Sequence, residues 1–87
     1  MGNYKIEISA SAEKTLFKLP KGMIPKIVNA IQSLSVDPRP MGCRKLSGEK
    51  DTYRIRISVY RIIYEIYDDL ILVKVLKIGH RKDIYRH

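Results

Sequence analysis

Cysteine is almost absent: Cys43 stands alone among 87 residues. One thiol cannot close an internal disulfide or build a cysteine-rich metal site, a composition suited to a reducing cytosol. Its expected place is that of a small apolar residue buried in the core. Long apolar runs are lacking too. The opening "MGNYKIEISA" holds no stretch of signal-peptide length, and no run approaches the roughly 18 residues that cross a bilayer. A soluble, cytoplasmic protein without a membrane role is therefore expected. The sequence also lacks a Ser-His-Asp order, a glycine-rich phosphate loop and a His/Cys cluster, so hydrolase triads, nucleotide cofactors and structural zinc have no support. Neither a metal nor a cofactor is expected. Acidic charge is scarce: 9 Asp plus Glu face 17 Lys plus Arg, and the formal charge of +8 is common in proteins that meet a polyanion. Nucleic acid leads the list of partners. Without repeats, low-complexity tracts or linkers, residues 1–87 read as a single domain whose modest core leaves it marginally stable.

What is present is a helical half followed by a β half. "YKIEI" alternates Tyr4, Ile6 and Ile8 against Lys5 and Glu7, the two-residue period of a strand with one buried face. "SASAEKTLFKLP" offers Ser9 or Ser11 as an N-cap, places Ala12, Leu16 and Leu19 at helical spacing, and stops at Pro20. A second helix follows in "MIPKIVNAIQSL", with a stripe of Ile24, Ile27, Ile31 and Leu34 and Pro25 tolerable only in the first turn. "SVDPRPMG" then ends the helical half. Beyond it come "RKL" as a short strand, "SGEKD" as a turn, "TYRIRI" and "YRIIYEIY" as strands, Asp68-Asp69 as a turn, and "LILVKVLKI" as the last and most apolar strand. The expected fold is α+β: an N-terminal strand, an antiparallel helical hairpin, a three- to four-stranded antiparallel sheet with the hairpin on one face, and a short basic C-terminal tail. The other face is expected to be open.

The arginines of "YRIRISVYRIIYEI" define that second face. Tyr53, Ile55 and Ile57 share one side of their strand, Arg54 and Arg56 the other. If Ser58-Val59 is a two-residue turn, Ile57 faces Tyr60, Ile55 faces Ile62, and Arg56 lies opposite Arg61. Ser-Val lacks the glycine or asparagine such turns favour. Like charges directly opposite cost a few tenths to about 1 kcal/mol, and a phosphate held by paired, charge-assisted hydrogen bonds offsets that. The final segment "KIGHRKDIYRH" leaves the last strand through Gly79 and adds His80, Arg81, Lys82, Tyr85, Arg86 and His87. A tyrosine beside an arginine cluster suits a stacked base of single-stranded RNA, worth roughly 1 to 3 kcal/mol.

These pieces, in this order from "YKIEIS" through "KLPK" and "DPRPMGCRKLSG" to "YRIRISVYRIIYEI" and "VLKIGHRKDIYR", resemble the RelE/ParE superfamily of bacterial and archaeal toxins, and its RelE branch more closely. The resemblance implies an endonuclease that cuts mRNA in the ribosomal A site and is neutralised by an antitoxin wrapping around the fold. The implied partners are the ribosome, mRNA and a cognate RelB-like antitoxin whose natural form is an acidic amphipathic helix, giving a toxin-antitoxin hetero-oligomer. The family's active positions fall on Arg54, Arg56, Arg61, Arg81 and Tyr85. Arg44, Lys45, Lys77, Lys82 and Arg86 are expected to contact RNA. The best-known RelE pattern has lysines where Arg54 and Arg56 stand here.

That departure matters, because metal-free cleavage needs a base for the 2′-hydroxyl, a stabiliser for the phosphorane and an acid for the leaving oxygen. Arginine stabilises charge but is not a proton acceptor, so a lysine base does not transfer to this chain. Arg54, Arg56 and Arg61 are assigned to the phosphate, and Arg81 to the leaving oxygen. Tyr85, stacked on a base or ionised by its cationic surroundings, and His80, kept neutral by neighbouring arginines, remain alternatives for the base. Glu65 is expected to pair with a neighbouring arginine. Two other functions stay open: a ParE-type toxin that poisons DNA gyrase, and a non-catalytic module that binds nucleic acid or an antitoxin. The joint presence of Arg56, Arg61, Arg81 and Tyr85 argues against the gyrase reading.

Overall fold

The computed structural model describes residues 3–80. Its elements run β1 (Lys5–Ile8), α1 (Ala10–Lys18), α2 (Ile24–Val36), β2 (Arg44–Lys45), β3 (Thr52–Ile57), β4 (Tyr60–Tyr67), a 3-10 turn (Asp68–Leu70) and β5 (Leu72–His80). The α+β architecture is the expected one. The sheet is larger and mixed, however: five strands in the order β1-β5-β4-β3-β2, with β1 parallel to β5 and every other neighbour antiparallel.

Local sequence explains where each helix begins and ends. Ser9 caps α1, its Oγ accepting from the Ala12 N–H at 3.0 Å, and the helix ends at Lys18, two residues before Pro20. The same hydroxyl donates to the Leu76 carbonyl at 2.8 Å, so the cap also fastens α1 to β5. Pro25 lies in the first turn of α2, where its missing N–H costs no helical bond. Ala12 and Leu16 of α1 and Ile27, Ile31 and Leu34 of α2 pack on Ile55, Ile62, Tyr64, Ile66, Val73, Val75 and Ile78 of the sheet. All of these apolar residues lie on the helix-bearing face. Cys43 is half-buried against this core rather than inside it. Among the described residues no helix is long and apolar enough to cross a membrane.

The central hairpin has the anticipated register. Ser58 and Val59 make a two-residue turn, placing Ile57 opposite Tyr60, Ile55 opposite Ile62, and Arg56 opposite Arg61. The unsuitable turn sequence is accommodated by Ser58 at φ 58°, in the left-handed region where glycine is preferred. The last strand does not end at Gly79. It runs on to His80, with Gly79 opposite Arg61 and His80 opposite Tyr60, and a bulge between Ile63 and Tyr64 lets β4 and β5 stay paired along their length.

A second strained residue joins the 3-10 turn to β5. Ile71, a β-branched residue, has φ 50° and is 48% exposed, so its side chain contributes little packing in return. Asparagine tolerates this backbone better, and Ile71→Asn is expected to raise unfolding stability by roughly 0.5–1 kcal/mol, read by urea denaturation. An unchanged or lower midpoint would show that the turn is set by contacts of the isoleucine itself.

Candidate phosphate-binding face

Register alone determines which cations share the face opposite the helices. Arg44 pairs with Arg54, Arg54 with Ile63, and Ile63 with Lys77, forming one row across β2, β3, β4 and β5. The next row is Arg56, Arg61 and Gly79. Side chains in such rows stand about 5 Å apart, and two steps along a strand is about 6.6 Å. Arg44, Arg54, Arg56, Arg61 and Lys77 are thereby brought together on one side of the sheet, a spacing that several guanidinium groups can bridge through one phosphate.

Their exposures differ. Arg44, Arg56 and Lys77 are exposed, Arg54 is half-buried, and Arg61 is only 7% exposed. Ile63 beside it is 8% exposed, so this face is not the open surface the helical hairpin alone would leave. A guanidinium withdrawn from water acts on nearby charge with less screening. Gly79 has no side chain, so nothing projects from the strand position beside Arg61 on β5.

Other expected site residues lie elsewhere. Lys45 pairs with Tyr53 and so takes the opposite parity from Arg44. His80 packs edge-on against Tyr60, with ring centroids 5.9 Å apart, in the row after Ile62 and Ile78 on the helix-bearing side. The strand alternation that aligns the arginines thus sends His80 to the opposite side. Glu65 does share the arginine face, in a row with Thr52 and Lys74, but its Oε1 accepts from the Tyr67 hydroxyl at 2.7 Å. That bond, given up when the phenol ionises, raises the Tyr67 pKa. The tyrosine two residues along the strand, rather than an arginine, is the partner the structure gives Glu65. Arg81, Lys82, Tyr85 and Arg86 lie outside the described residues.

The opposite end of the sheet carries a network that sequence patterns did not disclose. Arg39 meets Asp68 through Nη2–Oδ2 at 2.8 Å and Nη1–Oδ1 at 3.3 Å. Its Nε donates to the Tyr53 hydroxyl at 3.2 Å while the guanidinium lies 5.2 Å from the Tyr53 ring centre. Tyr4 donates to Asp68 Oδ1 at 2.7 Å. Tyr53 stacks on Tyr64, centroids 6.1 Å apart, and the buried Tyr64 hydroxyl donates to the Pro38 carbonyl at 2.8 Å. Burial raises the Tyr64 pKa, keeping that donor protonated. The network ties the segment around Pro38 and Arg39, which leads into Arg44, to the sheet. Its sequence signal was only the rigid "DPRP", because Arg39 and Asp68 are 29 residues apart.

The Arg39 guanidinium, and then the Tyr4 hydroxyl, hold the Asp68 carboxyl below its ordinary pKa. A lowered folded-state pKa stabilises above the unfolded value, about 3.9, and that contribution disappears as pH falls through the folded value. Asp68→Asn is therefore expected to melt below the parent at neutral pH, with the gap closing in acid. Thermal midpoints of both proteins from pH 7 to pH 2.5 check this, and a gap independent of pH would assign the effect to packing.

Comparison with known proteins agrees with the fold and its order of elements. Residues 6–85 match the family described as the ParE toxin of the type II toxin-antitoxin system, parDE. The chain is 34% identical over 87 residues to Toxin RelG of Mycobacterium tuberculosis, covering 95% of this chain and 97% of the relative. It is 30% identical over 88 residues to the putative toxin RelE1 of Methanocaldococcus jannaschii, covering 97% of each. The archaeal RelE-RelB complex of Pyrococcus horikoshii contains a chain that superposes with a TM-score of 0.83 at 29% identity, over 93% of this chain and 98% of that one. With a helical pair on one face of a five-stranded mixed sheet and a family match across nearly its whole length, the chain belongs to the RelE/ParE superfamily as a toxin of a type II toxin-antitoxin system.

Proposed function

We propose that this toxin is a ribosome-dependent mRNA endonuclease that cuts translated message in the A site, without a metal, by attack of a 2′-hydroxyl on the adjacent phosphate. The observation that carries this reading is the pairing of Arg56 with Arg61 beside the Arg44–Arg54 row. Four guanidinium groups on one face suit a phosphate whose charge grows as the phosphorane forms, an effect often worth several kcal/mol of barrier. The 2′-oxygen bonds to phosphorus and the bond to the 5′-oxygen breaks, leaving a cyclic phosphate and a 5′-hydroxyl. Arg54, Arg56 and Arg61 hold the phosphate and Lys77 the strand beside it. Arg81 is assigned to the leaving oxygen and Tyr85 to base stacking or proton removal; Lys82 and Arg86 contact the RNA backbone.

A guanidinium stays protonated and cannot serve as the base, so among the described residues the arginines of this face leave the ribosome a chemical task. Forcing the message into in-line geometry contributes about 7 to 11 kcal/mol, enough to compensate for poor proton abstraction. The antitoxin is a RelB-like chain, as in the RelE-RelB complexes of the structural relatives, and its acidic amphipathic helix covers the cationic face in a hetero-oligomer.

Primer extension on a translated message is the test. New 5′ ends are expected with the parent protein, absent with Arg81→Ala and reduced with Tyr85→Phe, while the same RNA without ribosomes stays intact. Equal cutting of free RNA would overturn ribosome dependence. The ParE name of the matching family favours a second reading, inhibition of DNA gyrase. Loss of supercoiling activity with no message cuts would establish it instead.

A further inference from the structure

β2 ends early, and what it leaves exposed is chemically specific. It pairs only with Tyr53 and Arg54, so the β3 edge from Ile55 to Ile57 has no strand beside it. The Leu46 N–H donates to the Thr52 carbonyl at 2.9 Å, so Thr52 turns its backbone polar groups toward β2. By strand alternation Arg54 and Arg56 do the same, and at Arg56 β2 has already stopped. Upstream, Gly42 at φ 92° diverts the chain, and a Cβ built there meets no atom within 4 Å. A groove of about 500 Å³ opens between α2 and this edge. Ala30, Pro40, Met41 and Ile57 are among its apolar walls, and Arg44, Arg54 and Arg56 also line it.

We propose that this groove receives one nucleobase of the RNA whose phosphate lies on the arginine face, and so helps to set the base preference of cleavage. The inference rests on the nuclease reading and adds a specificity site to it. Three arginines connect the groove to the phosphate-binding rows, so a strand of RNA crossing those rows can turn one base over the sheet edge. The volume falls within the roughly 300–1,000 Å³ of small-molecule sites. Arg56 offers one backbone donor and one acceptor, enough for one paired contact with a base edge. A peptide strand would gain only that single ladder position before the Ser58-Val59 turn, too little to hold it by strand addition. Met41, with its side chain fully in solvent, is a flexible thioether suited to closing over a flat ring.

A 2′-O-methyl trinucleotide, which cannot supply the attacking hydroxyl, is titrated into the ¹⁵N-labelled protein. Amide shifts are expected at Ala30, Gly42 and Arg56 as well as along the arginine rows. Ala30→Trp, which fills the groove, is expected to weaken the trinucleotide about tenfold or more, the worth of a lost stacked base, while inorganic phosphate binds as before. Met41→Ser, at a position that packs on nothing, is expected to alter the base distribution at cut sites in translated message without abolishing cleavage. Shifts confined to the arginine rows, together with an unaffected Ala30→Trp, overturn the groove and leave the nuclease reading standing. Response of the groove to an acidic peptide but not to the trinucleotide overturns it also. Cuts in translated message by the parent test the nuclease reading separately.

Discussion

Arg61→Met is expected to lower cleavage of translated message by a hundred- to thousand-fold, as loss of one preorganised charge stabiliser does, while leaving the protein folded. The reason is the position of the side chain. Arg61 is buried on the arginine face, directly opposite Arg56 and beside Gly79, so a phosphate held there, as proposed, would meet its charge with little solvent between. Methionine preserves the apolar stem that packs near Ile63 and removes only the charge. Arg61→Lys restores charge but not the planar fork and is expected to recover activity only in part. Parent-like cleavage by Arg61→Met, at equal folded fraction, would remove Arg61 from the mechanism.

The adjacent residue should give the opposite result. Ile62 is 0% exposed on the helix-bearing face, paired with Ile55 and Ile78 at the centre of the sheet. Ile62→Ala leaves a cavity in a core with little room to collapse, and a loss of about 2–5 kcal/mol is expected in urea denaturation. Against a total of about 5–15 kcal/mol for a domain, that is enough to populate the unfolded chain measurably. Activity is then expected to fall in proportion to the folded fraction. Antitoxin binding should restore the fold by mass action. A loss below about 1 kcal/mol would show that the helices shift to fill the space. One residue apart, the two substitutions separate chemistry from stability because a strand sends neighbours to opposite faces.

How far the fold could be read from residues alone depended on the distance over which each feature is determined. The Pro25 position and the Ile27, Ile31, Leu34 stripe are local and were legible, and the cap of α1 was legible as one of two serines, Ser9 or Ser11, of which the structure uses Ser9. So was the Arg56–Arg61 pairing, since a two-residue turn allows few registers even when Ser58 must adopt a positive φ to make it. The parallel partner of β1 was not legible. Lys5 meets Leu72 across 67 residues, and nothing local distinguishes a parallel edge from an antiparallel one. The Arg39, Asp68 and Tyr4 network was hidden for the same reason. The place of His80 was not legible either, because Gly79 reads as the exit from a strand ending at Ile78; two further paired residues carry β5 to His80 and commit its ring to Tyr60.

Sequence by itself therefore determined the cationic character, the alternation that segregates arginine from isoleucine, and the family to which the order of motifs belongs. Tertiary structure decided that Arg61 is buried while Arg56 is exposed, that Lys45 and His80 leave the arginine face, and that β2 stops short beside a groove. Composition and periodicity act through neighbours in the chain, whereas burial and the ends of strands are set by residues that only folding brings together.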